Sequence, residues 1–221
     1  TFENVAGGKT PDMSGYNNEG TIYGATQVDG LKLTSGAGTG KGLSFDGVDD
    51  YISAGTTSLQ VGTAPVTICS WFKTSSTALQ YIVGKSLHSS PSYFLTLGMG
   101  DVGTQGKVII WFVNQAGTPH LVASPSAYND GQWHFVCGLR DGVNIKLYID
   151  GALRGTPVAD LKDDTTNSYP VQIGKGIGGT GNYYFNGLID EVRIYSKALT
   201  AGEIQKQYAE GAERHQNLTS R

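Results

Sequence analysis

Apolar and polar residues alternate in short runs along this chain, and glycine and aspartate break the runs. This is the period-two pattern of strands whose successive side chains point to opposite faces. "APVTICSWFKTSS" is a clear strand. "GKVIIWFVNQAG" sets Val108, Ile110 and Phe112 against Ile109, Trp111 and Val113, so both of its faces are apolar. "GQWHFVCGLRDGVNIKLYIDGALRG" carries the strongest signal, strands split at Asp141-Gly142 and Asp150-Gly151. Such pairs read as hairpin turns because a type I′ turn needs positive φ. "GLSFDGVDDYISAG" reads as two short strands around an Asp-Gly turn, and "LQYIVGKS", "SYFLTLGMG", "YPVQIGKG" and "YYFNGLIDEVRIYS" complete the set. Residues 1–30 read as turn-rich and irregular, and 35–42 as a flexible turn. Roughly a dozen strands at this spacing predict an all-β sandwich or barrel.

One helix is expected, in "LTAGEIQKQYAEGAE". Thr200 as N-cap and Glu203 at the third helical position form a capping box. Ile204 and Tyr208, four apart, give it one apolar stripe. Residues 212–221, ending in "RHQNLTSR", read as a tail or linker. No internal repeat and no boundary is visible, so residues 1–221 read as a single domain.

Composition agrees: 32 glycines, 12 tyrosines and 16% charged residues favour strands and tight turns, and 38% hydrophobic residues suffice for a core. The net charge is −3 and no Lys/Arg-rich run occurs, which argues against nucleic-acid binding. No apolar stretch approaches the ~18 residues of a membrane span. The chain begins at Thr1, so it reads as trimmed from a longer parent, and the absence of a signal peptide carries no information.

The two cysteines fall in strands. Alternation puts Cys69 on the face of Trp71, and Cys137 on the face of Trp133, Phe135 and Leu139; both faces are expected to point into the core. Two separate buried thiols and one disulfide both fit this placement. A disulfide would close a loop of about 68 residues, contribute roughly 4 kcal/mol in the loop-entropy account, and place the parent outside the reducing cytosol.

Taken together, "GKGLSFDGVDDYI", "VTICSWFKTS", "DGQWHFVCGLRDGVNIKLYIDGAL" and "FNGLIDEVRIYSKALTAGEIQ" resemble laminin-G-like domains of the concanavalin A-like lectin/glucanase superfamily, closest to its bacterial and archaeal branch. The resemblance implies a jelly-roll sandwich of two curved antiparallel sheets, with glycan usually held on the concave one. It also implies a Cys69–Cys137 disulfide, since these strands are bridged in pentraxins of the same architecture. It places the domain in a secreted or cell-surface protein.

The same resemblance bears on the acidic pair in "NGLIDEVRIYSKAL". Laminarinase-type glucanases of the superfamily carry a similar last strand whose first aspartate binds a structural Ca²⁺. Asp190 matches that position, and the stretch around Glu3 and the segment around Gly42 would supply carbonyls. A buried carboxylate must be paired or bind metal, so an ion pair with Arg193 or bonds to main-chain amides is the alternative. Strict alternation sends Glu191 to the opposite face, into solvent. Asp46, Asp49 and Asp50, and likewise Asp12, Ser14, Asn17 and Asn18, are oxygen-rich, but Asx-type turn bonding is the favoured reading for both groups. Asp163 and Asp164 read as a solvated loop face.

Catalysis is not expected. Glucanases on this fold use a strand motif with paired carboxylates about 5–5.5 Å apart. The glutamates here are Glu3, Glu19, Glu191, Glu203, Glu210 and Glu213, none in a central strand. His88, His120, His134 and His215 show no metal-ligand spacing. His134 is expected to face away from the core. Sugars are held by aromatic faces with polar neighbours, which makes Trp111, Tyr93, Tyr183, Tyr184, His88 and His120 the candidate ligand residues; the last two histidines are expected in loops. Trp71 and Trp133 are assigned to the core. The expected function is a non-catalytic module that recognises a glycan or glycosylated surface. A structural or protein-binding domain is the second reading, and a polysaccharide hydrolase or lyase the third.

Overall fold

The computed structural model describes residues 2, 4–32, 39–55, 59–85, 91–98, 103–160, 162, 164–178 and 181–215. Its strands begin with β1 (Lys9–Thr10), β2 (Gly20–Tyr23), β3 (Thr26–Lys32), β4 (Thr39–Asp46), β5 (Tyr51–Ala54) and β6 (Val66–Lys73). Then come β7 (Gln80–Lys85), β8 (Ser92–Leu97), β9 (Lys107–Val113), β10 (Pro119–Ala127), β11 (Trp133–Arg140) and β12 (Asn144–Ile149). The last are β13 (Ala152–Ala159), β14 (Val171–Ile173), β15 (Lys175–Gly178), β16 (Gly181–Tyr184) and β17 (Asn186–Tyr195), followed by helix α1 (Ala201–His215).

They form an eight-stranded sheet, β1-β2-β5-β14-β7-β8-β9-β10, and a seven-stranded sheet, β13-β12-β11-β6-β17-β4-β3, with β15-β16 as a separate hairpin. Every pairing in the two sheets is antiparallel. The architecture is the expected two-sheet jelly-roll sandwich with one C-terminal helix. Residues 1–30 are more regular than expected, because β1, β2 and β3 lie there and are held by pairing with distant strands rather than by local pattern. The Asp-Gly turn after Phe45 joins β4 to β5 across the sandwich, since the two strands belong to different sheets.

The principal core lies between the sheets and includes Ile52, Phe72, Leu95, Ile110, Val136 and Leu147. Where β10 approaches β13 the backbones nearly touch. A Cβ at Gly155, whose φ is +75°, would lie 2.4 Å from the Ala123 carbonyl oxygen, so only glycine fits.

A second core lies on the other face of the seven-stranded sheet, beneath α1. Cys69, Trp71, Trp133, Phe135, Cys137 and Leu139 meet Ile204 and Ala212 there. The cysteines and tryptophans are therefore buried as expected, but against the helix and not between the sheets. Strand β6 is apolar on both faces, so alternation alone could not say which face was which. Cys69 and Cys137 sit directly opposite each other on β6 and β11 and are disulfide-bonded, closing a separation of 68 residues. In the loop-entropy account that contributes roughly 4 kcal/mol.

The helix has its expected cap. Thr200 Oγ1 accepts from the Glu203 amide at 3.2 Å, and Glu203 Oε2 accepts from the Thr200 amide at 2.7 Å. Lys197, 2.6 Å from the same carboxylate, together with the Thr200 bonds holds Glu203 down to about 2. Of the expected tail, residues 212–215 belong to the helix and 216–221 lie outside the described residues.

At the β12–β13 hairpin, Asp150 (φ +52°) and Gly151 (φ +75°) adopt the expected left-handed turn. The Asp150 carboxylate accepts from the Phe135 amide at 2.9 Å and meets His134 Nδ1 at 2.8 Å, while His134 Nε2 lies 3.1 Å from Asp130. His134 shares its row with Phe72 and packs on Tyr128, so it lines the rim of the inter-sheet core instead of facing away from it. Burial pushes its imidazole down, but the bonds and charges of Asp150 and Asp130 outweigh this and hold its pKa above the ordinary 6.5. A raised folded-state pKa stabilises fully below the unfolded value and is lost as pH rises through the folded one. The melting temperature is therefore expected to fall as pH is raised from about 6.5. His134→Gln should flatten that dependence, and an unchanged slope in the variant would refute the assignment.

Candidate functional site

The acidic pair in β17 is resolved by a bulge. The pairing of β17 with β6 shifts register between Asp190 and Arg193, and Glu191 takes a φ of +51°. An extra residue at a bulge breaks strict alternation. Glu191 is consequently not solvated on the opposite face as alternation required: both carboxylates are 1% exposed and turn toward the end of α1. Glu191 is bonded by Arg193 at 2.8 Å and by Arg214. Asp190 accepts from the Glu191 amide at 2.6 Å and faces His215 Nε2 at 3.1 Å. His215 donates through Nδ1 to the Gly211 carbonyl at 2.9 Å, so one proton lies on the line between Nε2 and Asp190, whichever atom holds it. The His215 ring stacks on Trp71 at 4.3 Å and 4°. Gly211 makes this approach possible, since a Cβ there would lie 2.4 Å from Trp71 Nε1.

Asp190, Glu191 and His215 offer ligand atoms within 4.8 Å of one another. They nevertheless do not fit calcium, which takes six to eight oxygens. One of the three donors is a nitrogen, two guanidinium groups already hold Glu191, and the set is sealed from solvent. Gly42 does lie beside Asp190, its Cβ position 3.8 Å from the Asp190 Cβ. Glu3 lies outside the described residues. The other acidic clusters are turns, as favoured. Asp46 Oδ1 accepts from the Val48 amide, and Asp50 Oδ2 from the Asp46 amide. Asp12 accepts from the Ser14 and Asn18 amides. Burial pushes Asp12 up, and the Ser14 and Asn18 bonds more than offset it, holding the carboxyl below its ordinary value.

The candidate sugar-binding residues divide. Tyr93 is a core residue: it is fully buried between the sheets, and its hydroxyl donates to the Leu59 carbonyl at 2.9 Å. His120 lies in β10 rather than in a loop, in register with Phe112 on the inner row. His88 lies outside the described residues. Trp111, Tyr183 and Tyr184 remain, and they gather on the outer face of the eight-stranded sheet. Trp111 is half-buried there against Phe94 (5.5 Å), and its indole donates to Thr96 Oγ1 at 3.1 Å. Tyr183 stacks over Tyr81 at 6.1 Å. Tyr184 lies on the other flank of the β15–β16 hairpin, where Lys175 Nζ sits 4.2 Å above the Tyr51 ring and 5.5 Å from the Tyr184 ring. Tyr23 stacks on Tyr51 at 4.5 Å and 10°. The hairpin thus separates two aromatic groups on one sheet face. Sequence reasoning missed Tyr23, Tyr51 and Lys175. The "YIS" and "TIY" alternation places Tyr51 and Tyr23 opposite buried Ile52 and half-buried Ile22, but only the pairing of β2 with β5 brings them together.

A separate cleft of about 720 Å³ opens between loop residues 10–18, β5, β14 and the end of β17. Its floor is apolar, and Met13 (75% exposed) and Tyr16 (76% exposed) stand at its edge. None of the expected ligand residues lines it.

His215→Ala removes the partner of Asp190 and the ring against Trp71, and leaves a buried carboxylate uncompensated. The expected loss is about 3–5 kcal/mol in guanidinium unfolding. A chelator is expected to leave the wild-type melt unchanged. A loss below about 1 kcal/mol, or a melt that drops with chelator, would show that the carboxylates are held in some other way.

A family model described as the Concanavalin A-like lectin/glucanases superfamily, of laminin-G type, matches residues 46–205. Among solved structures, the binding domain of Paraclostridial Mosquitocidal Protein 1 is similar at a TM-score of 0.70 and 15% identity, over 92% of this chain and 50% of that one. The receptor binding domain of botulinum neurotoxin C/D mosaic serotype is similar at 0.66 and 18%, over 91% and 48%. The binding domain of botulinum neurotoxin DC, solved in complex with rat synaptotagmin II, is similar at 0.61 and 14%, over 91% and 48%. The chain spans about half the length of these neighbours, and at such identities the likeness is one of fold. Two antiparallel sheets, the bridged strands and a match over most of the chain place this protein in the laminin-G-like family of the concanavalin A-like lectin/glucanase superfamily.

Proposed function

We propose that this domain is a non-catalytic recognition module that holds carbohydrate on the outer face of its eight-stranded sheet. The observation that carries the reading is the pair of half-buried ring systems, Trp111 and Tyr183, packed on Phe94 and Tyr81. Rings fixed in this way offer sugar C–H groups a rigid apolar face at little entropic cost. Tyr184 and Tyr51 extend the aromatic surface past the hairpin. Among the described residues, the buried carboxylates that meet are Asp190 and Glu191, and they lie sealed under α1, where no substrate reaches them. In our reading those carboxylates are compensated by Arg193, Arg214 and His215, and calcium is not required. The disulfide favours a secreted or cell-surface parent. Among the described residues no helix is long and apolar enough to cross a membrane.

A second reading, recognition of a protein partner, is favoured by exposed Met13 and Tyr16 beside the apolar-floored cleft. The neurotoxin domain solved with synaptotagmin II is consistent with such a use of the fold.

A glycan array followed by calorimetry separates the two. Binding of at least one oligosaccharide is expected, with Tyr183→Ala and Trp111→Ala each weakening it tenfold or more, about 1.4 kcal/mol or above, in variants whose melts confirm folding. Binding that survives both changes but is lost in Tyr16→Ala would move the site to the cleft.

A further inference from the structure

The two flanks of the β15–β16 hairpin differ in charge. On the Trp111 side the surroundings are neutral: Tyr81, Phe94, Thr96 and Tyr183. On the other side Lys175 holds its ammonium over the faces of Tyr51 and Tyr184, with Tyr23 stacked behind Tyr51. Among the described residues no carboxylate lies within ion-pair distance of Lys175, whereas Lys9, Lys146 and Lys197 each have one. The ring faces position this cation without neutralising it.

We propose that Lys175, seated on Tyr51 and Tyr184 with Tyr23 stacked behind Tyr51, forms with Tyr184 a subsite for an acidic sugar, a pyranose bearing a carboxylate. This rests on the sugar-binding reading above and deepens it. Tyr51, held between the Lys175 ammonium and Tyr23, only seats the lysine; Tyr184 flanks the sugar ring, and Lys175 takes its carboxylate in a charge-assisted hydrogen bond. A cationic ligand is excluded because the ring faces are already occupied by a cation. A polyanion is disfavoured because the Asp46–Asp50 turn leading into β5 is itself acidic and the chain carries a net charge of −3. A ring-seated ammonium with no carboxylate partner among the described residues, beside an acidic turn, suits one isolated negative charge.

The test compares acidic and neutral partners of matched size: 3′-sialyllactose against lactose, and oligogalacturonate against its methyl ester. Wild-type protein should prefer the acidic member of at least one pair roughly tenfold. The preference should shrink as salt is raised, vanish in Lys175→Gln and persist in Lys175→Arg. Lys175 is partly exposed, so the variants should fold. If acidic and neutral sugars bind equally, or Lys175→Gln leaves the preference intact, the acidic subsite is refuted while the sugar-binding reading stands, provided Tyr183→Ala still weakens binding. A stronger preference for sulfated sugars than for carboxylated ones would refute the class of ligand. No binding to any sugar would refute both.

Discussion

Two buried carboxylates in a strand are the constraint around which one half of this molecule is organised. Asp190 and Glu191 cannot be left uncompensated at 1% exposure, since desolvating an unpaired charge costs several kcal/mol. Their partners Arg214 and His215 come from the last turn of α1, so the helix can end in only one place. Buried ion pairs are weak evidence of net stability. Their consequence here is positional: apolar packing alone would let the helix slide along the sheet, and the charge pattern does not. Trp71, stacked between His215 and Tyr208, extends the same restraint into the apolar layer.

This arrangement gives the seven-stranded sheet two packed faces. Its inner face meets the other sheet, and its outer face carries the disulfide and the tryptophans beneath the helix. The glutamate that alternation would have exposed is turned inward by one extra residue. A bulge at that point does two jobs at once, bending the strand and putting both acids on the helix side. The cost is a non-glycine residue at positive φ, which the two guanidinium bonds to Glu191 offset.

Most of the fold was legible in the sequence because strand alternation, Asp-Gly turns and the Thr200–Glu203 box are local signals. What escaped depends on distant partners. Strands β1 to β3 are short and glycine-punctuated, and they exist because β4 and β5 lie beside them. The faces of Cys69 and Trp71 were ambiguous because β6 is apolar on both sides, and Glu191 was misplaced because a bulge has no sequence mark without a glycine. At the candidate site, Trp111 stood out as an aromatic on a strand apolar on both faces, and the tyrosines at the hairpin as aromatics near loops. Tyr93 had the same credentials and proved to be core. A tyrosine on an inner row and one on an outer row differ only in register, which is fixed by pairing across the sheet.

The division of labour between the sheets follows from the helix. Once α1 covers the outside of one sheet, the outside of the other is the broad sheet face left to present side chains in a fixed array. That face is built as such a surface would have to be. Its rings are anchored from beneath by Phe94 and Tyr81, or edged by Lys175, and the hairpin divides it into a neutral part and a cationic part. Rigid backing matters because the strands, not loops, set the spacing of the rings, so little ordering remains to be done when a ligand arrives. A surface with one charged end and one neutral end can also set the orientation of an elongated ligand, because reversing it would place the ligand's charge over Trp111 and leave Lys175 without a partner.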